Sequence, residues 1–248
     1  EWWKNNHWDR FSSASSNSND TQPVSAWLFN SIINKHADFM DNFPCPAILE
    51  REESDREIAK MLSSVVPVIL EQNGFERTYS ECSWDKPKIG TAIYGVFWNP
   101  EKENGLGDID IKHMDVINMF WEAGEEDIQK SRNVFTVEMM DRDLLEEEYP
   151  EIKGKNQAEI IYKPEYLYES NLDTTNKVQV IDWYYKKRIR ADVNGIITTK
   201  TILHYCKFIP GAVLYATEND PEMQYTGWYD HGMYPFVCDT MFPEKGSP

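Results

Sequence analysis

The carboxyl-terminal segment, residues 227–248, constrains the possible folds of this chain more than any other feature. Its aromatic residues are Trp228, Tyr229, Tyr234, Phe236 and Phe242. Gly232, Pro235 and Pro243 interrupt them, and such residues exclude a long helix or a central strand. Because aromatic side chains bury large areas, we expect this irregular segment to pack against the rest of the protein.

The ends of the chain are also informative. It begins at Glu1 rather than at methionine, and it stops at Pro248 directly after the aromatic segment. We therefore expect a piece of a longer protein. Its 248 residues suffice for one full hydrophobic core or for two small domains.

The charge balance is strongly acidic. The chain has 25 Lys and Arg residues against 42 Asp and Glu residues, and its net charge is −17. A tight grip on nucleic acid requires clustered basic residues that contact phosphates. The composition therefore opposes DNA binding, and it suits either high solubility or a surface that must not adhere to DNA.

Neither disulfides nor membrane spans are predicted. Four cysteines are scattered along the chain, namely Cys45, Cys82, Cys206 and Cys238. This spacing does not suggest a disulfide framework, so we expect reduced thiols. No apolar run approaches the roughly 18 residues of a membrane span, and no signal peptide is visible, so no membrane partner is expected.

The amino half predicts helices. The first runs from Pro23 to about Met40, with an apolar face formed by Phe29, Ile32, Ile33, His36 and Met40. We interpret His36 as a satisfied core residue. A short strand is predicted at residues 46–51, and a third helix at 75–88.

The second helix has explicit start and stop signals. Ser54 and Glu57 match a capping box, Pro67 should kink the helix, and Gly74 is placed to end it. Its amphipathic stripe consists of Ile58, Met61, Leu62, Val65 and Ile69.

From Thr91 onward the hydrophobic period changes to two. Residues 91–98 are apolar on both faces, which is typical of a buried strand. Asn104 and Gly105 predict a hairpin turn into a strand at 108–113. Further strands are predicted at 133–138, 178–190, 196–208 and 212–217, with a short acidic helix at 141–149.

We therefore predict an α+β fold, with amphipathic helices in the amino half and antiparallel hairpins and a meander in the carboxyl half. Residues 1–21 combine an aromatic patch with a serine-rich run and predict a flexible arm. The folded module is expected to span residues 22–248, with a polar loop or insertion at 153–177.

One group of residues resembles a metal-dependent nuclease. Asp110 and Lys112 on a strand, with Asp108 nearby, match the carboxylate-x-lysine arrangement in which a carboxylate holds Mg²⁺ and the lysine steadies the attacking water. Alternating charges on the solvent-facing side of a hairpin explain the same pattern. We favour the second explanation because the match is only three residues long.

Two other clusters contain residue types that could carry chemistry. His204, Cys206, His231 and Cys238 could be imagined as zinc ligands, but their spacing is not a recognised pattern, and a buried histidine and a buried thiol are favoured. The basic residues Lys186, Lys187, Arg188 and Arg190 follow aromatic ones, as in a single-strand nucleic-acid platform. With no other basic cluster in the sequence, an exposed strand flank is favoured. We predict no catalytic, metal or cofactor-binding residues.

Several segments together resemble the portal proteins of tailed bacteriophages. They are Gly90–Pro100, Gly105–Ile109, Asn118–Glu122, Asp127–Ser131, Asp182–Lys187 and Tyr229–Val237. They occur in a consistent order over most of residues 25–245. The resemblance implies a wing-region fragment that has a structural role and no enzymatic activity.

What the resemblance implies about assembly is specific. Portal proteins form a homo-oligomeric ring, usually of twelve subunits, at one capsid vertex, and DNA is packaged and ejected through its tunnel. The implied partners are terminase, capsid and head-tail connector proteins, with DNA passing without sequence-specific binding. The implied location is the virion, after assembly in the bacterial host cytoplasm.

Because the stem helices and the clip of the family are not visible, we expect this piece alone to be monomeric or weakly associated. The alternative hypotheses are the nuclease of Asp108, Asp110 and Lys112 and a nucleic-acid-binding module.

Overall fold

The computed structural model of this chain describes residues 2–5, 23–153, 176–193 and 196–242. The predicted arm at 1–21 and the predicted loop at 153–177 lie almost entirely outside the described residues. The chain divides into two compact units. The first comprises residues 1–113 with 239–242, and the second comprises 114–238 with 243–248.

The described part of the first unit contains three long helices, a short helical turn at Lys102–Gly105 and most of a small sheet. The helices are α1 (Trp27–Asp41), α2 (Arg56–Gln72) and α3 (Phe75–Ile89). The sheet has the strand order β2-β1-β8, with β1 at Thr91–Asn99, β2 at Asp108–Met114 and β8 at Phe236–Thr240. The predicted third helix and the predicted neighbouring strands at 91–98 and 108–113 are confirmed.

Two predictions at the amino end are wrong. Helix α1 begins at Trp27 rather than near Pro23, because proline is compatible with a first turn but does not impose one. The first helical hydrogen bond runs from the Asn30 amide to the Ala26 carbonyl, at 2.9 Å. Residues 46–51 form no strand, since Pro44 and Pro46 lack amide donors and the side chain of Leu49 is 86% exposed.

Helix α2 begins and packs differently from the prediction. Ser54 lies in a 3₁₀ turn before the helix, and its hydroxyl donates to the Asp55 carboxylate at 3.2 Å. The predicted capping box is therefore not formed. The helix continues through Pro67 and ends at Gln72, two residues before Gly74, whose φ is +59°. Of its residues only Ala59 is buried, so the predicted apolar stripe is largely exposed.

Contacts within the first unit account for His36 and for strand β1. The imidazole of His36 lies 3.0 Å from the Ser80 hydroxyl and stacks on Trp84, so His36 is satisfied but only partly buried. Strand β1 is buried at Ala92 and Ile93, whereas Trp98 near its end is 58% exposed. Burial on both faces therefore holds only for the first half of β1.

The second unit is built on a five-stranded antiparallel sheet. Its order is β3-β4-β5-β6-β7, with β3 at Met119–Trp121, β4 at Asn133–Asp141, β5 at Lys177–Val193, β6 at Ile196–Ile209 and β7 at Ala212–Ala216. The register runs from Asn133 opposite Tyr185 to Asp141 opposite Lys177. Beyond Tyr185, strand β5 pairs with β6 alone among the described strands, and the two form a ribbon.

A short acidic helix, α4 (Arg142–Glu148), follows β4 directly. Its Leu145 packs into a core cluster with Val178, Val180 and Ile209. The predicted meander and the α+β class are confirmed, whereas β3 and β8 were not predicted. Three residues are too few to display a period of two, and β8 follows directly after Pro235 in a segment that was expected to be irregular. In the described part of the chain, no helix has the length and hydropathy of a membrane span.

Candidate functional site

The central carboxylate of the nuclease-like motif, Asp110, forms ion pairs with two lysines. The Asp110 carboxylate lies 2.9 Å from the Lys102 ammonium group and 3.0 Å from that of Lys112. Burial would raise the pKa of Asp110, but the two lysines outweigh it and the pKa is lowered. The sequence pattern predicts a position for Asp110 on the solvent-facing side of the hairpin. Its side chain is only 16% exposed, so that prediction is wrong for Asp110. An ion-paired carboxylate of this kind stabilises the hairpin.

The two histidines of the possible zinc site have separate partners. His204 is 1% exposed and its Nδ1 lies 2.9 Å from the Thr217 hydroxyl, while burial lowers its pKa. His231 is exposed and accepts a hydrogen bond from the Met233 amide. Within the described ranges, no group of three or more His, Cys, Asp or Glu residues is placed to hold a metal ion.

The aromatic residues beside the basic run stack on one another. Trp183 lies between Phe135 and Tyr185, with ring-centroid distances of 5.7 and 4.2 Å. Tyr185 in turn stacks on His204 at 5.4 Å. A base-stacking platform needs an open ring face, whereas these rings cover each other. The aromatic part of the single-strand hypothesis therefore finds no support here.

The basic residues themselves line a cleft. It has a volume of about 550 Å³ and is lined by Lys130, Ser131, Arg132, Lys186, Lys187, Arg188 and Thr201. Five of these seven residues are cationic. We call it the basic cleft.

The β4–β5 register brings the two basic segments together, since the Lys186 amide donates to the Arg132 carbonyl at 2.9 Å. The prediction that no other basic cluster accompanies residues 186–190 is therefore wrong. No signal in the sequence shows that Lys130 and Arg132 lie beside that run, because register is a tertiary property.

The cationic side chains of the cleft differ in environment. Lys186 donates to the Gln129 carbonyl and lies over the Tyr234 ring at 4.5 Å, and burial lowers its pKa. Lys187 pairs with Glu218 at 3.0 Å. Lys130, Arg132 and Arg188 are exposed. The cleft thus presents several cationic groups to solvent on a chain of net negative charge.

A glutamine holds the aromatic carboxyl-terminal segment beside this cleft. The Gln129 side-chain amide donates to the carbonyls of Tyr234 and Phe236, each at 3.0 Å, and accepts from the Tyr234 amide at 2.9 Å. The Tyr234 hydroxyl lies 2.9 Å from the Ser131 carbonyl oxygen and 2.8 Å from that of Arg132, and its one proton is shared between them. Tyr234 and Phe236 are 3% and 1% exposed, which confirms for them the predicted packing, whereas Phe242 is 76% exposed.

Helix α4 presents the opposite charge. Its sequence, Arg-Asp-Leu-Leu-Glu-Glu-Glu, places three carboxylates in its last turn and no basic residue there. Negative charge is unfavourable at a helix carboxyl terminus, where the backbone carbonyls already carry partial negative charge. Glu147, Glu148 and the following Glu151 are exposed. We call residues 142–151 the acidic helix segment.

Comparison with known proteins gives a family assignment. The family model described as phage P22-like portal protein matches residues 29–232, which include most of both compact units. The chain belongs to the P22-like phage portal protein family. No curated protein matches it.

Family membership assigns the chain a structural role in a phage portal. It also implies a virion component that takes part in an oligomeric, capsid-associated assembly. The resemblance inferred from Gly90–Pro100, Asp182–Lys187 and the other segments is thereby confirmed. The match covers the basic cleft and the acidic helix segment, both of which lie within residues 29–232.

Proposed function

We propose that this chain forms part of the wing region of a portal ring at one capsid vertex, through which DNA is packaged and later ejected. The family match over residues 29–232 carries this proposal. The ring contains twelve subunits, the usual number for portal proteins, and it assembles in the bacterial host cytoplasm. Its partners are terminase, capsid proteins and head-tail connector proteins.

The charge of the chain supports a passive relation to DNA. At a net charge of −17, long-range repulsion keeps the duplex from adhering, as transit without sequence-specific binding requires. The chain has no enzymatic role in this proposal. The ion pairing of Asp110 with two lysines supports the lack of an enzymatic role, because it gives this carboxylate a structural function.

The proposal is tested in the phage that carries this gene. An amber codon at Trp183 truncates the product before most of β5. On a non-suppressing host we expect heads without packaged DNA, and on a host whose suppressor inserts tryptophan we expect filled heads. Antibodies against the protein should label one vertex of each particle. Filled heads on the non-suppressing host, or label spread over the capsid, would overturn the proposal.

A further inference from the structure

The basic cleft and the acidic helix segment lie at opposite ends of one strand. Arg132 immediately precedes β4, and Arg142 immediately follows it. A strand of 9 residues at roughly 3.4 Å per residue separates these ends by about 27 Å. The second unit therefore carries a cationic surface at one end of β4 and an anionic surface at the other.

Among the described residues, neither the exposed cations Lys130, Arg132 and Arg188 nor the carboxylates of the acidic helix segment form an ion pair. The exposed cations of the cleft repel each other across a small volume, and the acidic helix segment concentrates carboxylates where the helix dipole disfavours them. A local rule that is broken in this way often marks a functional surface. A cationic neighbour at the end of α4 would offset both the clustered carboxylates and the terminal carbonyls.

We propose that the basic cleft of one copy of this chain receives the acidic helix segment of the next copy. Such a contact is heterologous, because two different faces of identical subunits meet, and heterologous contacts generate rings when the rotation closes. The inference rests on the proposed function and names the surfaces through which the portal subunits associate.

The surroundings of the cleft favour carboxylates on a compact helix over a nucleic-acid backbone. Glu218 pairs with Lys187, and the Glu122 carboxylate accepts from the Arg132 amide at 2.9 Å. These acidic groups at the rim would repel a phosphate chain that continued beyond the cleft. A helix of two turns, such as α4, would end within the basic cleft and would not extend past these acidic groups. Leu145 is fully buried and anchors α4 to the sheet, so the acidic side chains are presented with little loss of entropy on binding.

The test uses two double variants of the chain. The cleft variant carries Lys130→Glu and Arg188→Glu, and the helix variant carries Glu147→Lys and Glu151→Lys. All four side chains are exposed, so folding should be preserved, as circular dichroism and thermal midpoints will verify. Arg51→Glu with Lys60→Glu, in the other unit, makes the same charge change as the cleft variant and serves as the control.

Self-association is measured by sedimentation velocity at high protein concentration and low salt, where charge contacts are least screened. We expect the wild-type chain and the control to associate, and each of the two variants alone to do so at least tenfold more weakly. A one-to-one mixture of the two variants should form a heterodimer that grows no further, since each supplies only one intact surface. Addition of salt should dissociate it.

Three results would overturn the inference. These are a wild-type chain that remains monomeric throughout, variants that associate as the wild type does, and a mixture without heterodimer. Duplex DNA binding that the cleft variant alone loses, with self-association unchanged, would assign the cleft to a polyanion instead. The result of the amber-codon experiment does not depend on any of these outcomes, so the proposed function can be correct even if this inference is wrong.

Discussion

At the scale of single residues, Gly227 allows the carboxyl-terminal segment to approach strand β6. Its φ is +87°, and a Cβ atom there would lie 2.6 Å from the Leu203 carbonyl oxygen. The next amide, of Trp228, donates to that same oxygen at 2.7 Å. A side chain at position 227 would therefore oppose both the backbone conformation and the hydrogen bond.

We expect Gly227→Ala to destabilise the protein clearly more than Gly124→Ala. Gly124 also has a positive φ, +90°, but nothing lies within 4 Å of its hypothetical Cβ. Conformational strain alone should cost about 1–2 kcal/mol at Gly124, and the clash should add roughly 1–3 kcal/mol at Gly227. Urea unfolding of both variants measures the difference, and equal costs would show that the close approach to Leu203 does not matter.

Asp182 is a carboxylate whose pKa is raised rather than lowered in the folded protein. Burial raises the pKa of its carboxyl group, although the Tyr205 hydroxyl donates to it at 2.6 Å and Lys207 is nearby. The folded state therefore holds the Asp182 proton more tightly than the unfolded chain does. By linkage, this residue lowers stability as pH rises above 3.8, the value for an unperturbed aspartate.

Asp182→Asn should remove this penalty while keeping an acceptor for Tyr205. The free energy of unfolding of the variant, relative to wild type, should rise as pH increases from about 4 and level off once Asp182 is ionised. Urea titrations across this range measure it, and Asp230→Asn, at an exposed position, provides the control for the same chemical change. A difference that falls with pH would contradict the assignment.

At the scale of elements, the turn before β4 and the aromatic segment depend on each other through Gln129. Its one amide group satisfies two carbonyls and one amide of the segment. Only a side chain with both donor and acceptor capacity can do this. The Tyr234 ring then lies under Lys186, so the same contact orders one wall of the basic cleft.

Gln129→Leu should cost about 2–4 kcal/mol, since it leaves more than one partly buried polar group without a partner. Amide hydrogen exchange at Tyr234 should accelerate more than the average of the second unit. Gln224→Leu is the matched control, because the partly exposed Gln224 side chain makes a solvent-exposed hydrogen bond of 3.3 Å to the carbonyl of Pro221, three positions away. If the two variants lose equal stability, the bridging role of Gln129 is refuted.

At the scale of the whole molecule, charge and ion pairing decide the expected behaviour toward DNA. The chain is acidic overall, and the one motif that resembles a nuclease has its carboxylate between Lys102 and Lys112. The basic cleft is a local exception with five cationic residues, one of which, Lys187, is already paired with Glu218.

We therefore expect plasmid DNA to remain intact after incubation with the protein and either Mg²⁺ or Mn²⁺. Gel electrophoresis over several hours is the measurement. Asp110→Ala and wild-type protein should give identical patterns. Cleavage by the wild type that is lost in Asp110→Ala would restore the nuclease hypothesis and count against the portal proposal.

Local sequence determined most elements of this protein. The period of two from Thr91, the turn at Asn104 and Gly105 and the alternation along 178–208 depend on neighbours in the chain, so strands β1, β2, β5 and β6 were predicted. Predictions from local sequence were wrong where a residue pattern allows a structure but does not require it. Pro23 allows a helix start, and Ser54 with Glu57 allows a capping box, but neither is used.

Only the tertiary structure decided which residues meet. Lys130 and Arg132 join Lys186–Arg188 because Asn133 pairs with Tyr185, and Gln129 meets Tyr234, 105 positions away in the chain. These pairings follow from the balance of burial and hydrogen bonding over a whole sheet, which no short stretch of sequence contains. The sequence alone determined the acidic character and, through its portal-like segments, the family, whereas the basic cleft exists only because strand register brings distant cations to one place.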